Sequence, residues 1–165
     1  MTSPRLCTVD KDYIKHLHNN IDWRVSVKFN NRPFVVLTLN IANHNYAIPL
    51  TSQTTKERMK IGKKKRNSTA TTFIYAGTIE IANLLHNNMF PVPESVLTDI
   101  IIDPRIDTYL ANEERYIRKH YREIIEKTEK LYKDRYDTNK QNFNFLNKIC
   151  CDFAKLEQAC DTWGK

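Results

Sequence analysis

The chain reads as an α+β protein, strand-rich over its first two-thirds and helical after that. Three observations carry the reading. Up to about residue 102 the apolar residues come in short runs rich in β-branched and aromatic side chains, punctuated by Asn, Gly and Pro. After Pro104 they recur at spacings of three, four and seven. The 165 residues, 41% hydrophobic and with only three glycines, suffice for one core, so 1–165 is expected to be a single domain.

The elements follow in order. Asp10 is placed to cap a first helix, with Val9 stapling against Ile14 and with Tyr13, Ile14 and Leu17 on one face. That helix is expected to end near Asn19 and Asn20. Residues 25–27 and 34–40 read as strands, with Asn30, Asn31, Arg32 and Pro33 looping between them. Residues 34–41 and 46–50 pair as a hairpin across a turn at Asn43, His44 and Asn45. The basic stretch 56–66 reads as a long polar loop. Strands resume at 73–75 and 78–82 around Gly77. Pro91 and Pro93 mark an edge or a strand start, and 97–102 reads as a further strand. Next comes one long amphipathic helix, from Tyr109 and Leu110 through Ile117, Ile124 and Leu131. A terminal helix carries Leu146, Ile149, Phe153 and Leu156.

Composition narrows the function classes. No apolar run approaches the ~18 residues a membrane span needs, and the start of the chain lacks the continuous apolar stretch of a secretory signal. A cytosolic protein without membrane contacts is therefore expected. Cys7, Cys150, Cys151 and Cys160 form no Cys-x-x-Cys pair and read as reduced, mostly buried thiols. Of the scattered histidines only His16 and His18 are close, and no carboxylates can be placed to complete a metal site with them. No cofactor or metal is expected.

The stretch 46–66 carries the most information. Tyr46, Ala47, Ile48, Pro49 and Leu50 lead into a hydroxyl-rich turn, Thr51, Ser52, Gln53, Thr54, Thr55. From residue 56 to 66 there are seven Lys/Arg against one Glu, so this window holds most of the net charge of +7. Such a patch is the footprint of a polyanion partner, and a hydroxyl turn beside it suits one fixed phosphate. The bland readings stand beside it: Thr51-Ser52 as an ordinary strand-ending turn, the basic run as a solvated loop. The candidate RNA contacts are Arg58, Lys60, Lys63, Lys64, Lys65 and Arg66, with Lys28 upstream. On the long helix Arg115, Arg118, Lys119 and Arg122 form a cationic stripe beside Tyr116, His120 and Tyr121. The stripe is either the charged outer face of the helix or an RNA contact with aromatics for base stacking.

These residues together resemble the ToxN/AbiQ family of endoribonuclease toxins of type III toxin–antitoxin systems. The resemblance runs through most of the chain. It includes Tyr13, Ile14 and Leu17; Arg32-Pro33-Phe34; the Tyr-x-x-Pro-Leu-Thr-Ser signature at Tyr46, Pro49, Leu50, Thr51 and Ser52; Asn88, Met89, Pro91 and Val92; and Glu114, Ile117, Leu131 and Tyr132. It implies a compact, strongly bent, barrel-like antiparallel sheet of the RNA-interferase kind, and cleavage of adenine-rich RNA. Processing and inhibition by a small repetitive antitoxin RNA, in a closed multi-subunit protein–RNA assembly, are implied as well. So are cellular or phage mRNA as substrate and a role in phage defence, with no DNA partner. The family's Thr-Ser pair maps to Thr51 and Ser52, and its lysine before the preceding strand to Arg32. Where the family has Pro-Lys after Thr-Ser, this chain has Gln53-Thr54-Thr55-Lys56, so the lysine is displaced. A tyrosine expected near Lys28-Phe29 is missing.

Metal-free RNA cleavage uses the substrate's 2′-OH as nucleophile and leaves a 2′,3′-cyclic phosphate and a 5′-OH. It needs orientation, charge stabilisation and two proton transfers. The expected catalytic set is Ser52 and Thr51 for phosphate binding, Arg32 as a bidentate clamp and Lys56 at the leaving group. His44 or His86 would contribute only if folding brought them close. The competing readings are a non-catalytic RNA-binding module and an adaptor for an acidic protein.

Overall fold

The computed structural model describes residues 4–27 and 35–164. Seven strands and six helices of six or more residues alternate with two short 3-10 turns. Their order is β1 (Arg5–Val9), α1 (Lys11–Asn20), β2 (Val35–Ile41), β3 (His44–Thr51), α2 (Thr55–Lys60), β4 (Thr71–Ala76) and β5 (Ile79–Leu85). A 3-10 turn at His86–Asn88, β6 (Phe90–Pro91), a second 3-10 turn at Glu94–Val96 and β7 (Leu97–Asp99) follow. Then come α3 (Thr108–Lys119), α4 (Tyr121–Asp134), α5 (Phe143–Ile149) and α6 (Phe153–Thr162). The α+β expectation stands.

All strand pairs are antiparallel, in the order β4-β5-β3-β2-β1-β7, with β6 beside β3. Among the described residues the sheet is open: β4 and β7 end it, and no pairing closes it into a barrel. Strand β3 changes partner along its length. It keeps β2 on one side throughout, but on the other pairs first with β6 at Tyr46 and Ala47, then with β5 at Leu50 and Thr51. One strand thus carries the hairpin turn at one end and the hydroxyl turn at the other.

The first helix forms as expected. Asp10 Oδ1 accepts from the Asp12 N–H at 2.8 Å, and Tyr13, Ile14 and Leu17 are fully buried. The Tyr13 hydroxyl donates to the Pro91 carbonyl at 2.6 Å, which fastens α1 to β6. Val9, expected only as a staple, instead closes a strand. Arg5 opens that strand and is held at the far sheet edge by Glu94 (2.5 Å) and Asp99 (2.6 Å).

The hairpin is tighter than expected. His44 and Asn45 lie in β3, and the turn is Ala42-Asn43, both with positive φ. Positive φ at both central positions matches the right-handed twist of the flanking strands.

Other expectations are corrected. No strand forms at 25–27: the Val25 carbonyl is taken by His18 Nδ1 (2.7 Å) and the Arg24 carbonyl by Asn88 (2.9 Å), so neither joins a ladder. The expected strand 97–102 stops at Asp99, after which the Ile100 N–H makes one last bond to the Leu6 carbonyl. The polar loop 56–66 begins as α2, capped by the Thr54 hydroxyl. The long helix is two, broken at His120, and the terminal helix is two, broken at 150–152. At the first break α3 packs on β4 while α4 turns toward β2 and the His86–Asn88 turn. At the second, the Cys151 N–H is taken by the Asn87 carbonyl (2.9 Å) and the Asp152 N–H by Asp22 Oδ2 (2.6 Å). All four cysteines are buried free thiols, but only Cys160 sits in a helix. No helix among the described residues is long and apolar enough to cross a membrane.

The core joins the sheet to α1, α4 and α6. Tyr46 and Tyr132 both donate to Glu157 Oε1 (2.7 and 2.8 Å), and Tyr132 stacks on Phe153 with ring centres 5.5 Å apart. His86 is fully buried between two hydroxyls. The Thr128 hydroxyl donates to the Ile124 carbonyl (2.7 Å), so it accepts from His86 Nδ1–H (3.0 Å). The Thr72 hydroxyl then donates to Nε2 (2.7 Å). Burial, with Lys127 nearby, pushes His86 down to about 3.

Two of these local features can be tested on stability. Replacing Ala42, a solvent-exposed residue forced to φ 50°, by Gly removes a left-handed backbone penalty. Equilibrium denaturation should show a gain of about 1 kcal/mol; no gain would mean the turn is not strained. The second test concerns pH. Because His86 is neutral when folded and protonates near 6.5 when unfolded, stability is full above that value and falls below it. Its slope is up to about 1.4 kcal/mol per pH unit. His44 is raised: burial alone would lower it, but its bond to Asp161 and the nearby Glu157 outweigh that. It is charged in both states below 6.5 and adds no slope there. Denaturation at pH 6.5 and 5 should therefore show a smaller pH loss for His86→Gln than for wild type, and equal losses would contradict this.

Candidate active site and nucleic-acid interface

The site grows out of the end of β3. Thr51 faces Asn83 across the β3–β5 ladder. Past it the chain turns, and the Gln53 N–H donates to Thr51 Oγ1 at 3.1 Å. Thr54 then starts α2 by accepting from the Glu57 N–H. Ser52 sits half-buried between them, and its hydroxyl has no hydrogen-bond partner among the described residues.

What fixes this turn is Arg66. Its Nη1 donates to the Gln53 carbonyl (2.6 Å) and to Asn83 Oδ1 (2.9 Å), and its Nη2 donates to Gln53 Oε1 (2.9 Å). Asn83, fully buried, passes the constraint on by donating to Glu80 Oε2 (3.0 Å), which also accepts from the Thr55 N–H (2.6 Å). Burial, and to a lesser degree Arg58, brings Arg66 down to about 10, so it stays charged at neutral pH. Glu80 lies below the usual carboxylate value: burial pushes it up, but these donors and nearby Lys65 outweigh that. Thus the last residue of the basic run is a structural fork, not a free phosphate contact.

The turn opens into a cleft of about 1730 Å³. Of the sequence candidates, Thr51, Ser52, Arg58, Lys63, Lys64, Lys65 and Arg66 line it together. Arg58 Nε holds the loop by donating to the Lys64 carbonyl at 2.9 Å. Lys65 lies over the Phe73 ring, 4.7 Å from its centre. Lys63 and Lys64 are exposed to solvent. Lys56 and Lys60 are exposed on α2 but do not line the cleft. Arg32 and Lys28, and the Lys28-Phe29 position, lie outside the described residues.

The stripe on the long helix does not reach the cleft either. Arg115 bonds Asn112 (3.1 Å), Arg118 pairs with Glu114, Arg122 pairs with Glu126 (3.4 Å) just past the helix break, and Lys119 is exposed. Tyr116 lies against Tyr75 and stacks on His120 at 4.2 Å. The face α3 turns to the cleft is Thr108, Tyr109, Leu110 and Glu113.

Of the two histidines considered as proton carriers, His86 is sealed in the core and His44 is bound to Asp161 (2.8 Å) near α6. The imidazole in the cleft lining is His18, which sequence reasoning had paired with His16. Its Nδ1 lies 2.7 Å from the Val25 carbonyl and so carries the proton, which leaves Nε2 as the acceptor.

The comparisons with known proteins agree with one another. The family model for the toxin ToxN of type III toxin–antitoxin systems matches residues 5–161. Endoribonuclease ToxN of Bacillus thuringiensis subsp. kurstaki is 30% identical, over 98% of this chain and 84% of that protein. Endoribonuclease AbiQ of Lactococcus lactis subsp. lactis is 29% identical, over 98% and 90%. Among solved structures, a type III toxin described as selectively inhibited by a non-coding RNA pseudoknot superposes with a TM-score of 0.86 at 27% identity, covering 99% of both chains. The structure of AbiQ, described as a lactococcal anti-phage endoribonuclease, has a TM-score of 0.82 at 23% identity, with 98% coverage of both, and shares the fold.

The basic run should therefore divide into two functional groups. Arg66→Lys keeps the charge but cannot serve three acceptors in one plane. It should lower stability by about 1–3 kcal/mol, the cost of leaving buried acceptors unpaired, and leave the salt dependence of RNA binding intact. Neutralising Lys63, Lys64 and Lys65 should do the reverse. Stability should hold, while the log–log salt slope flattens by about 0.7 per lost contact, so up to ~2. Denaturation curves and RNA titrations across a salt series test both; an unchanged slope would make these lysines a merely solvated loop.

Proposed function

Because the chain belongs to the ToxN toxin family of type III toxin–antitoxin systems, we propose that it is a single-domain, metal-independent, sequence-preferring endoribonuclease that cuts RNA at the Thr51-Ser52 turn. The observation that carries the reading is the Ser52 hydroxyl, uncommitted among the described residues, on a turn locked by Arg66 in a lysine-lined cleft. A fixed hydroxyl donor beside cations is what a reacting phosphate needs. Two relatives bearing the name endoribonuclease, aligned over nearly the whole chain, support it.

In this mechanism the RNA 2′-oxygen attacks the adjacent phosphorus, forming the 2′-O–P bond as the P–O5′ bond breaks. The 2′-OH proton goes to a base and O5′ takes up a proton on leaving. The products are a 2′,3′-cyclic phosphate and a 5′-OH. Ser52 donates to a non-bridging oxygen. Thr51 Oγ1 accepts the Gln53 N–H and so keeps its own proton for the same phosphate. Arg32 would clamp the non-bridging oxygens in two-point fashion. Lys63, Lys64 and Lys65 hold the flanking backbone. His18 Nε2 is the acceptor we favour for the 2′-OH proton. Lys56, exposed and off the cleft lining, is assigned to outer backbone contact instead of the leaving group.

The proposed partner is a small repetitive antitoxin RNA that the toxin processes and that inhibits it in a closed protein–RNA assembly. Cellular or phage mRNA in the cytoplasm is the proposed target, and phage defence the role. A related structure described as inhibited by an RNA pseudoknot is consistent with this partner.

Expression without the antitoxin RNA should arrest growth, and Ser52→Ala should relieve the arrest while folding normally. Purified enzyme should cut RNA in EDTA and leave cyclic phosphate ends. Activity rescued only by magnesium, or 3′-OH products, would overturn the mechanism. Binding without any cleavage would leave an RNA-binding module.

A further inference from the structure

Part of the cleft lining, apart from the Val25 carbonyl that orients His18, plays no role in the chemistry above: the turn at 23–27 and helix α5. Trp23 is 75% exposed and Phe145 41% exposed, and both line the cleft. They sit on a rigid support. Arg24 pairs with Asp22 (2.9 Å) and donates to the Asn147 carbonyl on α5 (2.9 Å), while the Arg24 carbonyl accepts from Asn88 (2.9 Å). The turn carrying Trp23 is therefore stapled to the helix carrying Phe145. Lys148, three residues after Phe145 and so on the same helix face, also lines the cleft. It is exposed and has no partner among the described residues.

Resting on the RNA-cleaving reading, we infer that Trp23 and Phe145 form a stacking platform for an unpaired base of single-stranded RNA, with Lys148 on the neighbouring phosphate. Aromatic faces interleaved with cations are the usual way to hold single-stranded nucleic acid, since every base offers a π face and every linkage a charge. The core of a protein–protein interface, by contrast, is depleted in lysine. The cleft thus has two stations: Lys63, Lys64 and Lys65 near the Thr51-Ser52 turn, and the aromatic pair that holds an unpaired base further along the strand.

Trp23 reports on itself. The other tryptophan, Trp163, is half-buried against Tyr13 and His16 and does not line the cleft. A 2′-O-methyl oligoadenylate, which lacks the nucleophilic hydroxyl, should quench wild-type tryptophan emission as it binds. Trp23→Phe should lose the quenching yet keep most of the affinity. Trp23→Ala should bind about 5- to 150-fold more weakly. Its thermal melt should be unchanged, because the side chain supports nothing in the core. Binding by Trp23→Ala within about two-fold of wild type, or no quenching at saturation, overturns the platform. Quenching that follows protein concentration instead of RNA assigns the patch to a second copy and overturns it too. Cleavage of unmodified RNA by the same wild-type preparation reads the nuclease assignment separately, so either can fail alone.

Discussion

The site depends on one half-buried guanidinium. The Arg66 fork meets three acceptors, two on Gln53 and one on Asn83, and the residue just before Gln53 is Ser52. A strand end followed by a polar turn is ordinarily the part of a fold most free to move. Here the turn is bonded to β5 through Asn83, which faces Thr51 in the ladder, and α2 is bonded to it through Glu80 and Thr55. The Thr51 and Ser52 hydroxyls inherit the rigidity of the sheet, and in the proposed chemistry such rigidity lets a small group act by orientation.

The partner switch along β3 is what makes this possible. Were β3 paired with one neighbour throughout, its end would be an edge like any other. Because β6 covers Tyr46 and Ala47 while β5 covers Leu50 and Thr51, the β5 ladder supplies Asn83 where the fork needs an acceptor. The His86–Asn88 turn that follows β5 fixes the rest of the cleft. Asn87 holds the break between α5 and α6, and Asn88 holds the turn at Trp23.

Much of this was legible in the sequence, for reasons that can be stated. Asp10 and the face of Tyr13, Ile14 and Leu17 pointed to α1 because capping and helical spacing are local. The apolar runs around Val36 and Ile48 pointed to the central hairpin for the same reason. The helix break at His120 was hidden because Ile117, Ile124 and Leu131, all buried, keep a spacing of seven across it. The break before α6 did leave a sign in Asp152, a capping residue that accepts from the Lys155 N–H. The Thr51-Ser52 turn was found by its motif. The fork made by Arg66 was not legible, since nothing local separates it from its solvated neighbours Lys63 and Lys64; the difference lies in Asn83, seventeen residues away. His18 was overlooked for a similar reason, because its partner is a backbone carbonyl.

The central claim is that Arg66 serves the turn that carries Ser52, and does not act on RNA by itself. A double-mutant cycle in single-turnover cleavage of a saturating short RNA tests this directly. If Arg66 acts through the turn, the Ser52→Ala, Arg66→Lys double variant will be no slower than Ser52→Ala alone. If the two losses multiply, Arg66 contributes independently of Ser52, and the claim that it works through the turn is wrong.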